Sequence, residues 1–184
     1  MANVFKLRVI IDTEEDVFRD IEISAQSNFH QLHETILQTF DFEMGEMASF
    51  YLSNDEWEKG LEIPLMDMGD GVVSMDNAVL SEMVQSVGNK VLYVYDFLRM
   101  WIFYVEVIEI LEFNEAQKYP HVSLSFGNPP SQDSKEMEAM FDDGKWEEEE
   151  KWDASAGDED EDEFGFNDDE NFDADDFDGY YDER

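Results

Sequence analysis

The run VLYVYDFLRMWIFYVEVIEIL, Val91 to Leu111, constrains the fold of this chain more than any other stretch. It is long and apolar enough to suggest a helix crossing a bilayer. Asp96, Arg99, Glu106 and Glu109 interrupt it, and each is costly in hydrocarbon. In water the same residues divide into two pieces. Lys90 to Phe97 and Trp101 to Glu112 are rich in β-branched and aromatic side chains, with a tight connection around Leu98 to Met100. The run therefore predicts a pair of long strands and no membrane span.

The remaining apolar patterns supply partners for that pair. Phe5, Leu7, Val9 and Ile11 alternate along a first strand, TEED turns the chain, and Val17 to Ser24 returns as a second. On the second strand Val17, Arg19, Ile21 and Ile23 share one side, opposite Phe18, Asp20 and Glu22. Asn28 and Gln31 form a capping box, and Phe29, Leu32, Ile36, Leu37 and Phe40 recur at helical spacing up to about Asp41. Met47 to Leu52 reads as a third strand, and Glu62 to Gly71, with Pro64 and two glycines, as loop. Leu80 to Val87 predicts a short helix stopped by Gly88, and Tyr119 to Phe126 a last strand before GNPP. The expected architecture is α+β in the order ββαβαββ: a mixed, mainly antiparallel sheet with one main helix on one face, β-grasp-like.

Charge divides the chain in two. The formal net charge is −37, and the segment from Ser131 to Arg184 holds 25 acidic residues against four bases, −21. The preceding 130 residues carry −16. Such a field repels phosphate backbones, which argues against direct nucleic-acid binding, and it attracts basic partners. No cysteine is present, and the N-terminal residues lack a basic stretch followed by an apolar one, so a cytoplasmic protein without disulfides is expected. Residues 1–130 read as the α+β domain and 131–184 as a disordered acidic tail, too polar to offset the entropy of ordering. The tail is nonetheless interrupted by Phe164, Phe166, Phe172, Phe177, Tyr180 and Tyr181.

Several phrases occur together in one order: FHQLHETILQTFDFEMGEMASFYLSNDEW, LEIPLMDMGDG, the strand pair above, and YPHVSLSFGNPP. From Val4 to Pro130 they resemble the plasmid (pRi-type) Orf-three-like family, also named for the TnpR passenger protein of an insertion element. The resemblance implies a small α+β domain, an association with mobile elements, and no defined activity. The family pattern Y-x-Y-D-F-G-D-x-W stands here as YVYDFLRMW, so Leu98 and Arg99 replace a glycine and an aspartate and the turn is expected to be remodelled.

Candidate chemistry is sparse. His30 and His33, three residues apart on the main helix, could approach one metal, although His33 borders the apolar stripe and reads equally as a packing residue. Asp67 and Asp70 in MDMGDG resemble a cation loop without the full spacing of a calcium site. No Gly-x-Ser-x-Gly elbow, phosphate-binding glycine loop or dinucleotide fingerprint occurs, and no cofactor is implied. The aromatics Tyr93, Tyr95, Phe97, Trp101, Phe103 and Tyr104 read as sheet core ahead of a ligand groove, whereas Trp57, in an acidic turn, is a candidate contact. The expectation is a non-enzymatic module binding basic proteins, in which Trp57 and the tail rings add apolar contacts to charge. The alternatives are a mobile-element accessory acting on or mimicking nucleic acid, and a metal-dependent hydrolase.

Overall fold

A computed structural model describes residues 3–137, with the exception of 68 and 70. Seven strands form one sheet. In chain order they are β1 (Asn3–Ile11), β2 (Phe18–Ser24), β3 (Ala48–Ser53), β4 (Glu62–Pro64), β5 (Lys90–Tyr95), β6 (Trp101–Glu112) and β7 (His121–Phe126). Two helices, α1 (Phe29–Thr39) and α2 (Leu80–Met83), complete the domain. The spatial order is β4-β3-β5-β6-β1-β2-β7. All six neighbouring pairs run antiparallel, so the sheet expected as mixed contains no parallel pair among the described residues. No helix among the described residues is long and apolar enough to cross a membrane, and Val91 to Leu111 is the β5–β6 hairpin.

Helix α1 forms where the sequence predicts, and for the expected reason. Asn28 Oδ1 accepts from Gln31 N at 2.9 Å, while Gln31 Oε1 accepts from Asn28 N at 3.3 Å, satisfying two donors that the first turn leaves free. The helix buries Phe29, Leu32, Ile36 and Leu37 against the inner face of the sheet, where Phe5, Leu7, Val9 and Ile11 alternate. Phe29 meets Phe50 edge-on at 5.0 Å, and Phe40 meets Phe103 at 5.1 Å. The opposite face carries no helix among the described residues. It presents Lys6, Arg8, Ile10 and Phe18 to solvent or half-covered, with the Arg8 guanidinium bridging both Asp20 oxygens at 2.8 Å.

Three local expectations are corrected. Residues 62–64, read as loop because of Pro64, form strand β4, since Ile63 lies opposite Phe50 and is fully buried. Proline is tolerated there because β4 is a sheet edge. Helix α2 stops at Met83 and does not reach Val87, because Val84 is already extended and buries its side chain. The β5 strand ends at Tyr95 and not at Phe97, because Asp96 turns the chain with φ 56°.

Arg19 shows how a charged residue sits on the inner side of β2. Its guanidinium donates to the carbonyls of Phe18 and Phe126 at 2.8 Å and of Gly127 at 3.2 Å, and stands 5.2 Å from the Phe40 ring centroid. These bonds satisfy the buried cation and clamp the end of β7 to β2.

Candidate functional site

The turns at one end of the sheet converge on a single surface. Asp12, after β1, donates its N–H to the Ile102 carbonyl at 2.8 Å, which sets the β1–β2 turn beside the start of β6. Asp96 N–H donates to Met47 O at 2.9 Å, and the Tyr95 hydroxyl donates to Glu43 O, so the loop after α1 reaches the same place.

The β5–β6 turn is built around Asp96, which is 1% exposed. Its Oδ1 accepts from the backbone N–H groups of Leu98 and Arg99 at 3.1 and 3.2 Å, and its Oδ2 pairs with Arg99 Nη1 at 3.2 Å. The positive φ values fall at Asp96 (56°) and Met100 (53°). Leu98 and Arg99 are not at those positions, which is how this turn forms without the family's glycine. Asp tolerates the left-handed region because its short side chain bonds locally, as it does here.

A strap beyond Pro130 is laid across this end. Trp101 Nε1 donates to Gln132 O at 3.1 Å, Glu43 N donates to Gln132 Oε1 at 2.7 Å, and Lys135 Nζ donates to Met100 O. Arg99 Nη2 lies 3.4 Å from Asp133 Oδ1. The packed chain thus continues past the division expected after Pro130, at least as far as Lys135.

The strap splits the surface into two cavities that share Pro130. One, of about 560 Å³, is lined by Asp41, Glu43, Glu46, Arg99, Gln132 and Asp133. The other, of about 660 Å³, is lined by Asp12, Glu14, Glu15, Val17, Trp101 and Lys135. Among the described residues Asp41, Glu43, Glu46, Asp12, Glu14 and Glu15 enter no ion pair. The arrangement is a groove with acid on both walls and proline and tryptophan between them. It suits a cationic, extended ligand with some apolar surface.

The residues singled out from sequence lie elsewhere. His33 is 3% exposed, more deeply placed than a helix-border position suggests. Its Nδ1 shares a 2.6 Å hydrogen bond with the Tyr93 hydroxyl, and its ring stacks 5.8 Å from that of His30. His30 Nδ1 in turn lies 3.0 Å from Asp76 Oδ1. No group of three or more His, Asp or Glu side chains is arranged for a metal ion among the described residues. Asp67 is exposed and accepts from Gly69 N at 2.8 Å, closing its own loop; Asp70 lies outside the described residues. Trp57 folds back on the solvent face of the sheet, edge-on to Tyr104 at 5.0 Å, and does not line the groove. Phe164, Phe166, Phe172, Phe177, Tyr180 and Tyr181 also lie outside the described residues. Of the central aromatics, Tyr93, Tyr95, Trp101 and Phe103 are core. Sequence reasoning missed the Asp96–Arg99–Asp133 chain and the groove acids. The one available signal was the substitution of Leu98 and Arg99 within the turn.

His33 makes stability depend on pH. Burial, and secondarily the neighbouring His30, lower its pKa from 6.5 to about 4. The unfolded chain takes up a proton near pH 6.5, whereas the folded protein resists until about pH 4. This contribution is therefore complete above pH 6.5 and is lost as pH falls towards 4, by roughly 3 kcal/mol in total. Urea unfolding of the protein and of His33→Gln across that range isolates it: the difference in stability between the two should change with pH. A constant difference would contradict the neutral, buried assignment.

A family model described as plasmid pRiA4b ORF-3-like protein matches residues 3–179, spanning the domain and most of the acidic segment. No curated protein matches the chain. Among solved structures, the chain is similar to the crystal structure of a protein of unknown function from Methanosarcina mazei Go1. The two share 26% identity over 74% of this chain and 76% of the other, with a TM-score of 0.63. With the sheet, the single main helix and the family pattern all in agreement, the chain belongs to the plasmid pRiA4b ORF-3-like family.

Proposed function

We propose that this protein is a non-enzymatic binding module of the cytoplasm that receives a basic segment of a partner protein in the groove around Pro130. The observation that carries this reading is the pair of acidic walls, Asp41, Glu43 and Glu46 on one side and Asp12, Glu14 and Glu15 on the other, flanking Pro130 and Trp101. A net charge of −37 speeds encounter with a cation, and the apolar strip prolongs its stay. The rings Phe164, Phe166, Phe172, Phe177, Tyr180 and Tyr181 extend that apolar contact along the partner, which accounts for aromatics within an acid-rich segment.

The test uses binding kinetics of the full chain against a short arginine-rich peptide at two salt concentrations. Exposed charge pairs contribute about 0.2–1 kcal/mol each, so Asp41→Asn with Glu43→Gln and Glu46→Gln should weaken binding roughly tenfold. The loss should fall mainly on association and should flatten the salt dependence. Replacing Phe164, Phe166, Phe172 and Phe177 by serine leaves charge unchanged and should instead quicken dissociation. If the triple groove variant binds like the original protein, the groove is not the site.

A further inference from the structure

The two edges of the sheet are protected very differently. Strand β4 is three residues long and carries Glu62 and Pro64, which blunt it against further pairing. Strand β7 is six residues long and pairs only with β2, so its other side is open among the described residues. Val122, Leu124 and Phe126 are 38%, 48% and 54% exposed. Phe126 stacks on Phe18 at 5.2 Å, and Ile10 adds to the apolar surface on the neighbouring strands. From Pro120 to Gln132 there is no Asp, Glu, Lys or Arg, in a chain of which 32% is charged. An open, uncharged, apolar edge of this kind is a template for another strand.

We infer that the strand it takes is β7 of a second copy of this chain, antiparallel, about a two-fold axis at Leu124. Charge favours this occupant. Two such acidic molecules repel wherever their acids face each other, and β7 with its flanks offers an approach free of that cost. The sequence VSLSF is also close to symmetric about its centre. In that register Leu124 meets Leu124, Ser123 meets Ser125, and Val122 meets Phe126. Self-complementarity of this type is what an isologous contact requires. The one irregularity of β7 is the register shift between Asp20 and Ile21, on the side facing β2, and Leu124 to Phe126 stay regular against Phe18 to Asp20.

The experiment measures the mass of the full chain by light scattering and sedimentation over a range of concentrations at moderate salt. The expected result is a reversible dimer. Leu124→Lys places two like charges opposite each other at the axis and should raise the dissociation constant at least tenfold without lowering the melting temperature. Since the chain has no cysteine, Leu124→Cys provides a second reading in a protein with a nearly native surface. Residues facing each other across an antiparallel pair lie about 4.5–5.5 Å apart, within disulfide range. Leu124→Cys should therefore oxidise to a covalent dimer much faster than Glu62→Cys at the other edge. A monomer at every concentration overturns the proposal, as does a dimer insensitive to Leu124→Lys, or cross-linking no faster at position 124 than at 62. A monomer whose β7 amides lose hydrogen-exchange protection when residues 138–184 are removed would assign the edge to the chain's own C-terminal segment, and would overturn it too.

Discussion

Phe40→Ala is expected to cost about 3–5 kcal/mol of folding stability, one of the two largest effects among substitutions in this protein. Phe40 ends α1 and is fully buried. Its ring sits between Phe103, 5.1 Å away on β6, and the Arg19 guanidinium, 5.2 Å away on β2. Truncation removes the apolar area and leaves a void that Phe103 cannot fill alone. It also takes the ring from a buried cation whose N–H groups are already committed to three backbone carbonyls. The guanidinium cannot follow the void without releasing the end of β7. Urea titration should show the loss, with a melting temperature lower by on the order of 10 °C. Phe40→Leu should recover most of it, because it restores volume. A loss below about 1 kcal/mol for Phe40→Ala would mean that α1 repacks, and that Arg19 is not held as described.

The features legible in sequence are those that depend on neighbours in the chain. Alternation at Phe5, Leu7, Val9 and Ile11 requires one face to be dry, and that face is buried. The capping box at Asn28 and Gln31 involves three residues of separation, and it forms as read. The features that escaped depend on distant partners. Residues 62–64 carry no strand signal of their own, and they pair because Phe50 leaves a place for Ile63. Arg19 looks like a polar intrusion on the apolar side of β2 until the carbonyls of Phe126 and Gly127, over a hundred residues away, are seen to receive it.

The same distinction governs the site. Acidity was legible, but in a chain with 48 acidic residues no sequence argument separates Glu43 and Glu46 from the rest. What sets them apart is the strap at Gln132, which binds the Glu43 amide and places Pro130 between two acidic walls. His33 illustrates the converse. Its spacing from His30 suggested a ligand pair, yet its depth and its bond to Tyr93 make it part of the core. The helical period fixes which side a residue faces, not how far the opposing surface closes over it.

Asp96→Ala is expected to rival Phe40→Ala, at about 3–5 kcal/mol, although it removes only a carboxylate. Three losses combine. Alanine at φ 56° pays about 1–2 kcal/mol that Asp avoids through its local hydrogen bonds. The N–H groups of Leu98 and Arg99 lose their acceptor inside a half-buried turn. Arg99, whose Nε already has no partner among the described residues, loses Asp96 and keeps only Asp133. Asp96→Asn separates these terms, because asparagine keeps Oδ1 and tolerates the same backbone, giving up only the charge; it should cost roughly 1–2 kcal/mol. The strap reports the consequence for the groove. Arg99 joins the turn to Asp133, so hydrogen exchange at residues 131–135 should accelerate in Asp96→Ala and change little in Asp96→Asn. Equal destabilisation by the two variants would show that the charge pair with Arg99, and not the shape of the turn, holds this end of the sheet together.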